Sequence, residues 1–234
     1  MKKYVLTNII YGIVLFFFII SLSISLPILC RFIHTLCIKP MGIVENLNSY
    51  TGQNYTYDDV VEAYNEVLNY CVFYAPFGAG KLLYPEEDVL HFEDCRVLFT
   101  IDLVVLIVTT ILIIVFKVIE KKKRTIMIKP LTYFITGTLT IVLPCVLVFI
   151  CSQDFNAAFI KFHELFFPGK DNYWFNPNVN YIVLILPEDF FMVCAIVIAS
   201  GVFIGAIVLV ILGFIKRRKV LLLKKRDIYE NIVS

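Results

Sequence analysis

The chain has 234 residues, 59% of them hydrophobic, and a mean hydropathy of +0.83. That composition excludes an ordinary water-soluble globular domain. The net charge of +2 conceals an asymmetry: 15 of the 21 Lys and Arg lie at the N-terminus, between 117 and 129, or in the 216–226 tail, so they report membrane topology and argue against a nucleic-acid partner.

Four apolar stretches reach the length of about 20 residues that crosses a bilayer. They fall near 4–29, 97–116, 131–151 and 190–215 and predict an all-α integral membrane protein with four transmembrane helices, a single membrane domain over 1–234. The positive-inside rule puts both termini in the cytoplasm and 30–96 and 152–189 outside, as a small, mainly helical extracytoplasmic cap. Those two segments hold 15 of the 19 acids. The first span is longer than the 7–15-residue core of a signal peptide and reads as an uncleaved anchor.

After it, 31–38 continues as helix and carries His34, which reads as an ordinary interfacial histidine. The segment 41–55, with Gly42, Asn46, Asn48, Gly52 and Asn54, reads as irregular or short extended chain. Asn54-Tyr55-Thr56 matches a glycosylation acceptor, a pattern too short to carry weight. A helix follows over 56–71, with Thr56 as N-cap, Asp58 and Asp59 in its first turn, and a stripe of Val60, Val61, Tyr64, Leu68 and Cys71. Residues 76–80 make a turn. Pro85 suits a first helical position, and Glu86, Glu87 and Asp88 favour the positive end of the helix that runs on into the second span. At 100° per residue His91, Asp94, Leu98 and Asp102 share one face, within roughly 80° of arc.

The third span contains Gly137 and Pro144, tolerated in membrane helices. It is expected to continue outward through 154–167 with Phe155, Phe159, Phe162 and Phe166 at helical spacing, stopped by Pro168-Gly169. Residues 171–187 read as turns followed by one short strand. Tyr173, Trp174 and Phe175 suit the headgroup level, and Trp174, the only tryptophan, reads as an anchor or as a substrate-lining side chain. Gly201 and Gly205 allow close packing of the last span. Of seven cysteines, Cys145 and Cys194 lie in spans; no C-x-x-C pair supports redox or zinc chemistry, and the spacing selects no disulfide.

His34, His91 and His163 are the only histidines, all predicted outside near the bilayer surface. His91 lies about six residues, or roughly 9 Å, from the first fully apolar turn, where lipid esters reside. His163 follows the third span by a similar stretch, so the two can meet. An unperturbed histidine titrates near neutrality, and one as base and one as acid suit acyl transfer at an ester, with apparent pKa values near 6–8. Asp94, a turn after His91, is placed to orient its ring or raise its basicity. Arg96 or backbone amides are candidates for oxyanion stabilisation. Asp102 sits in the apolar span, either functional by default or a carboxylate paired with Arg96 or a neighbouring helix.

His91-Phe92-Glu93-Asp94-Cys95-Arg96 before a membrane helix resembles the first signature of the bacterial lipoprotein intramolecular transacylase family; Cys95 stands where a small aliphatic residue is more usual. Phe162-His163-Glu164-Leu165-Phe166-Phe167, Trp174-Phe175-Asn176-Pro177 and Leu186-Pro187-Glu188-Asp189-Phe190-Phe191 resemble its second, and Asn65, Leu68 and Tyr70 its cap. The resemblance covers about 56–191. It implies a multi-pass enzyme of the bacterial cell membrane, its active site facing outside. The enzyme moves the sn-2 acyl chain of a diacylglyceryl lipoprotein onto the α-amino group of its N-terminal cysteine, giving the lyso form. His91 and His163 are the implied catalytic residues, by acid–base or acyl-histidine catalysis, with Asp94, Arg96, Asp102 and Trp174 as supporting candidates. Partners are the lipoprotein and membrane lipid, with no cofactor, nucleotide or metal. The residues alone leave two other readings open, an outer-face haem-binding redox protein and a non-catalytic lipid-binding assembly factor.

Overall fold

The computed structural model describes residues 4–123, 126–170 and 172–233; Lys2, Lys3, Arg124 and Asp171 lie outside them, as does the side chain of Cys151. Nine helices and no strand occur among the described residues: α1 (Val5–Leu29), α2 (Phe32–Ile38), α3 (Ile43–Thr51), α4 (Tyr57–Phe73), α5 (Glu86–Lys122), α6 (Pro130–Gln153), α7 (Phe155–Phe166), α8 (Ile182–Ile185) and α9 (Glu188–Val233). Helices α1, α5, α6 and α9 are long and apolar enough to cross a membrane, and each carries one of the four expected spans. The chain is a multi-pass membrane protein. The 37 residues of α5 extend about 55 Å, well beyond the ~30 Å of bilayer hydrocarbon. Its first eleven residues, with Glu86, Glu87, Asp88, His91 and Asp94, precede the apolar stretch.

The chain divides into two compact units. One comprises Met1–Ser23, Val104–Val148 and Ala199–Ser234. Its apolar packing is reinforced by polar ties to the 126–129 connection. Asn8 Oδ1 accepts from Lys129 N (2.7 Å) and Thr132 Oγ1 (2.6 Å), and its amide donates to Met127 O (2.9 Å). Glu120 Oε1 accepts from Met127 N and Ile128 N at 2.9 and 3.1 Å, and Lys216 Nζ reaches both carboxylate oxygens at 2.7 Å. Tyr11 is buried with its ring edge-on to Phe116 and Tyr133. A Cβ built at Gly205 would meet Ile19 Cγ2 at 2.7 Å, so the missing side chain is what admits that close approach.

The other unit, Ile24–Leu103 and Phe149–Ile198, contains all three histidines. Its core gathers Ile38, Ile43, Leu47, Val60, Ala63 and Ile185 from four helices. Thr56 caps α4 as expected, in a reciprocal capping box with Asp59. Arg31 fastens the start of α2 to α4 through Asn65 Oδ1 (3.0 Å) and Asn69 Oδ1 (2.5 Å).

Several local expectations are corrected. Residues 43–51 are helix, not extended chain: Gly42 (φ 60°) and Gly52 (φ 66°) are the left-handed residues bracketing α3, while Ile43 and Leu47, four apart, bury its inner face. The expected strand is the short helix α8, whose Ile182 and Ile185 are buried at i, i+3 spacing. The outward continuation of the third span is interrupted at Asp154, which leaves helical geometry (φ −160°) and caps α7 by accepting from Ala157 N at 2.9 Å. His34 is no interfacial histidine. It is wholly buried, stacked on Tyr64 at 3.8 Å between centroids, with Nε2 2.9 Å from Ile185 O. Cys30, Cys37, Cys71, Cys95, Cys145 and Cys194 are free thiols.

Candidate active site

His91 comes from the segment of α5 before its apolar run, and His163 from the last turns of α7. The structure brings them together: their rings stack at 5.9 Å between centroids, 24° from parallel. His163 is oriented within its own helix. Its Nδ1 lies 2.8 Å from Phe159 O, and a carbonyl only accepts, so this nitrogen carries the proton and Nε2 of the neutral ring holds the lone pair. His91 is buried, with Nε2 3.4 Å from Cys95 Sγ. Burial pushes the Cys95 thiol well above its ordinary range, so it stays protonated and has an S–H to offer. A protonated thiol can give its S–H to Nε2 or accept from it; Nδ1, which carries the ring proton when the thiol donates, is buried and has no hydrogen-bond partner among the described residues.

Aromatic side chains enclose the pair. Phe167 lies 5.1 Å from His91 and 5.7 Å from His163, Phe175 is edge-on to His91 at 5.1 Å, and Tyr173 lies 5.3 Å from His163. The apolar surroundings disfavour charge on either ring. Burial, then the neighbouring His163, lower His91 to about 4, against the upward pull of Asp94. Burial also lowers His163, against the bond to Phe159. Both rings are therefore neutral at pH 7. Stacked rings present faces to one another, unlike the opposed nitrogens that bis-histidine haem ligation requires.

Asp94, Arg96 and Asp102 are each held by polar partners. Asp94 does not hold the His91 ring, though its charge raises the basicity of His91; it is bonded by Lys170 Nζ and by Asn172 Nδ2 (3.0 Å). Burial pushes its carboxyl up, but those two bonds outweigh the effect and keep it below the usual carboxylate range. A cleft of about 280 Å³ opens beside it, lined by Leu90, Glu93, Asp94, Gly169, Lys170 and Asn172. The Arg96 guanidinium is committed to Glu93 (3.2 Å) and to the faces of Tyr70 and Tyr74, 4.4 and 5.1 Å from their centroids. Asp102 accepts from Ser25 Oγ of α1 at 2.7 Å, the neighbouring-helix pairing that was one of its two readings. Trp174 is 62% exposed, with Tyr173 its ring neighbour at 5.5 Å. Tyr173, Phe175, Phe167 and Cys95 are the contacts sequence reasoning missed. All four sit in or beside the quoted motifs, but motif membership does not say which side chain turns inward. No group of three or more His, Cys, Asp or Glu placed to hold a metal ion occurs among the described residues.

The family model described as "Lipoprotein intramolecular transacylase Lit" matches residues 9–191. Among solved structures, the chain is similar to the membrane integral lipoprotein intramolecular transacylase Lit from Bacillus cereus, with 22% identity, a TM-score of 0.78, and coverage of 95% of this chain and 97% of that one. Two variants of the same protein, in which a histidine is replaced by arginine or by alanine, each match with 21% identity, a TM-score of 0.75 and 93% of this chain covered; they are covered over 93% and 94% of their own length. No curated protein matches.

Proposed function

The chain belongs to the lipoprotein intramolecular transacylase family, and from that premise we propose that His163 and His91 move the sn-2 acyl chain of a diacylglyceryl lipoprotein onto the α-amino group of its N-terminal cysteine, on the outer face of a bacterial cell membrane. The stacked, oriented histidine pair carries this reading. His163 Nε2 takes a proton from the α-ammonium, freeing the amine to attack the ester carbonyl. Nδ1–H of His91, a neutral donor, stabilises the oxyanion that forms. As the tetrahedral intermediate collapses, the bond to the sn-2 glycerol oxygen breaks and that oxygen takes the proton held by His163. The new amide gives up one further proton to solvent, so the reaction needs no external acyl donor, nucleotide or metal. Amine and ester belong to one molecule, and holding them together supplies much of the barrier reduction.

The direct test is mass spectrometry of a lipoprotein's N-terminal peptide from cells with and without this protein. The expected product is an N-acyl, S-monoacylglyceryl cysteine; an unchanged peptide refutes the assignment. The pH dependence is a second test. Protonation turns the base off, so activity is lost as pH falls through the folded-state pKa values, and burial has moved these below 6.5. With saturating lipopeptide, the acid limb of kcat is expected to lie below the 6.5 of an unperturbed histidine. Stability follows the same sign: the unfolded chain takes up protons near 6.5, so the folded state loses stability as pH drops from there toward about 4. An acid limb of kcat centred at or above 7 would exclude the buried pair as the titrating groups.

A further inference from the structure

Asp88 stands in the first turn of α5, fully buried. A buried carboxylate requires partners. One oxygen accepts from Asn180 Nδ2 at 2.7 Å; Oδ2 is buried and has no partner among the described residues. A carboxylate only accepts, so the Asn180 amide nitrogen must face Asp88 and its oxygen is left for the other side. There Asn180 Oδ1 accepts from Asn176 N at 2.8 Å, and Asn180 N donates to Asn176 O at 2.8 Å. The 176–180 turn is thereby closed on itself and fastened to α5.

The chain leading into that turn is the part that touches the histidines. Phe175 meets His91 edge-on and Tyr173 lies against His163. His91 follows Asp88 by three residues, on the same side of α5. One end of the 173–180 segment is thus tied to α5 at Asp88, and the other lies over both rings.

We propose that Asp88 and Asn180 are positioning residues, a clasp that acts through Asn176 to hold Phe175 on His91 and Tyr173 on His163, so that the rings keep their separation and stay shielded from water. The proposal rests on the reading of His91 and His163 as the reacting pair. It accounts for a costly arrangement: an apolar side chain at 88 would avoid burying a half-satisfied carboxyl, whose pKa burial drives up to about 6 despite the Asn180 bond. The ionisable groups acting on His91 are His163, Asp94 and Lys170, with the Cys95 thiol in contact; Glu87 acts on Asp88. None of them depends on the clasp for its charge.

The test uses the full chain in micelles. With only three histidines, ¹³C-histidine NMR follows the titration of His91 directly, alongside the pH profile of kcat on a diacylglyceryl lipopeptide. In N180A, and from the other side of the bond in D88L, kcat is expected to fall on the order of 10- to 100-fold with KM little changed. The His91 titration and the acid limb of kcat should both move up toward 6.5 as water reaches the ring. F175A should reproduce the upward titration. D88N should behave as wild type, because its Oδ1 still accepts from Asn180. Lowered stability with an unmoved His91 titration, failure of both N180A and D88L to fold, or D88N behaving like D88L would each overturn the clasp in favour of a purely structural bond. The NMR arm needs no turnover. A wild type that titrates as expected but transfers no acyl chain strikes the proposed function and leaves the clasp standing; an active enzyme with an unmoved titration strikes the clasp alone.

Discussion

Replacing His163 by alanine is expected to lower transacylation about 10³–10⁴-fold while the protein still folds and reaches the membrane. Its Nδ1 is engaged by Phe159 O, which fixes the ring and the direction of the Nε2 lone pair. His91→Ala should cost about 10²–10³-fold, the range for removing one oxyanion donor. The two differ in what rescues them. Glutamine at 91 retains an N–H donor of similar reach and should recover part of the activity, whereas glutamine at 163 has no basic nitrogen and should recover none. Single-turnover rates on a diacylglyceryl lipopeptide, with Tm measured alongside, decide the matter. Equal losses in His91→Gln and His91→Ala would show that position 91 exchanges protons and is more than a donor.

The second large effect concerns stability. Glu120 accepts from two backbone N–H groups of the 126–129 connection and is spanned by Lys216, both side chains being largely buried. Glu120→Ala removes one charge, strands the other and orphans two amides. Breaking such a pair costs about 3 kcal/mol, out of the 5–15 that holds a typical domain together. That corresponds to a Tm lower by roughly 6–12 °C. Lys216→Met should be milder, because Glu120 keeps both backbone donors. Thermal unfolding of the purified variants in one detergent checks the order; a Lys216 variant less stable than the Glu120 variant would mean that the ion pair outweighs the capping of the connection.

What could be read from the chain alone divides along a physical line. Bilayer-spanning length is a sum over neighbouring residues, and a capping box needs only Thr56 and Asp59, so the four spans and α4 were legible. That His91 and His163 could meet was legible because few histidines occur and both fall a short stretch outside an apolar run. The glycines at 42 and 52 misled: the same left-handed geometry serves a loop or the two ends of a helix, and only the burial of Ile43 and Leu47 tells them apart. The partners of Asp94, Arg96 and Asp102 were not legible. Long polar side chains choose among several reachable groups, and the choice is made by tertiary neighbours such as Lys170, Tyr70 and Ser25. Trp174 drew notice for its rarity, while the flanking Tyr173 and Phe175 turned toward the site.

The device that orients His163 has a consequence for how the site tolerates genetic change. In many enzymes a catalytic imidazole is held by a carboxylate, and a single codon change removes the support. Here the support is a main-chain carbonyl one turn back in the same helix, present whatever residue occupies position 159. The lock itself therefore offers almost no mutational target: a change at 159 leaves the carbonyl in place, and the proton stays on Nδ1 of His163 so long as the helix remains a helix.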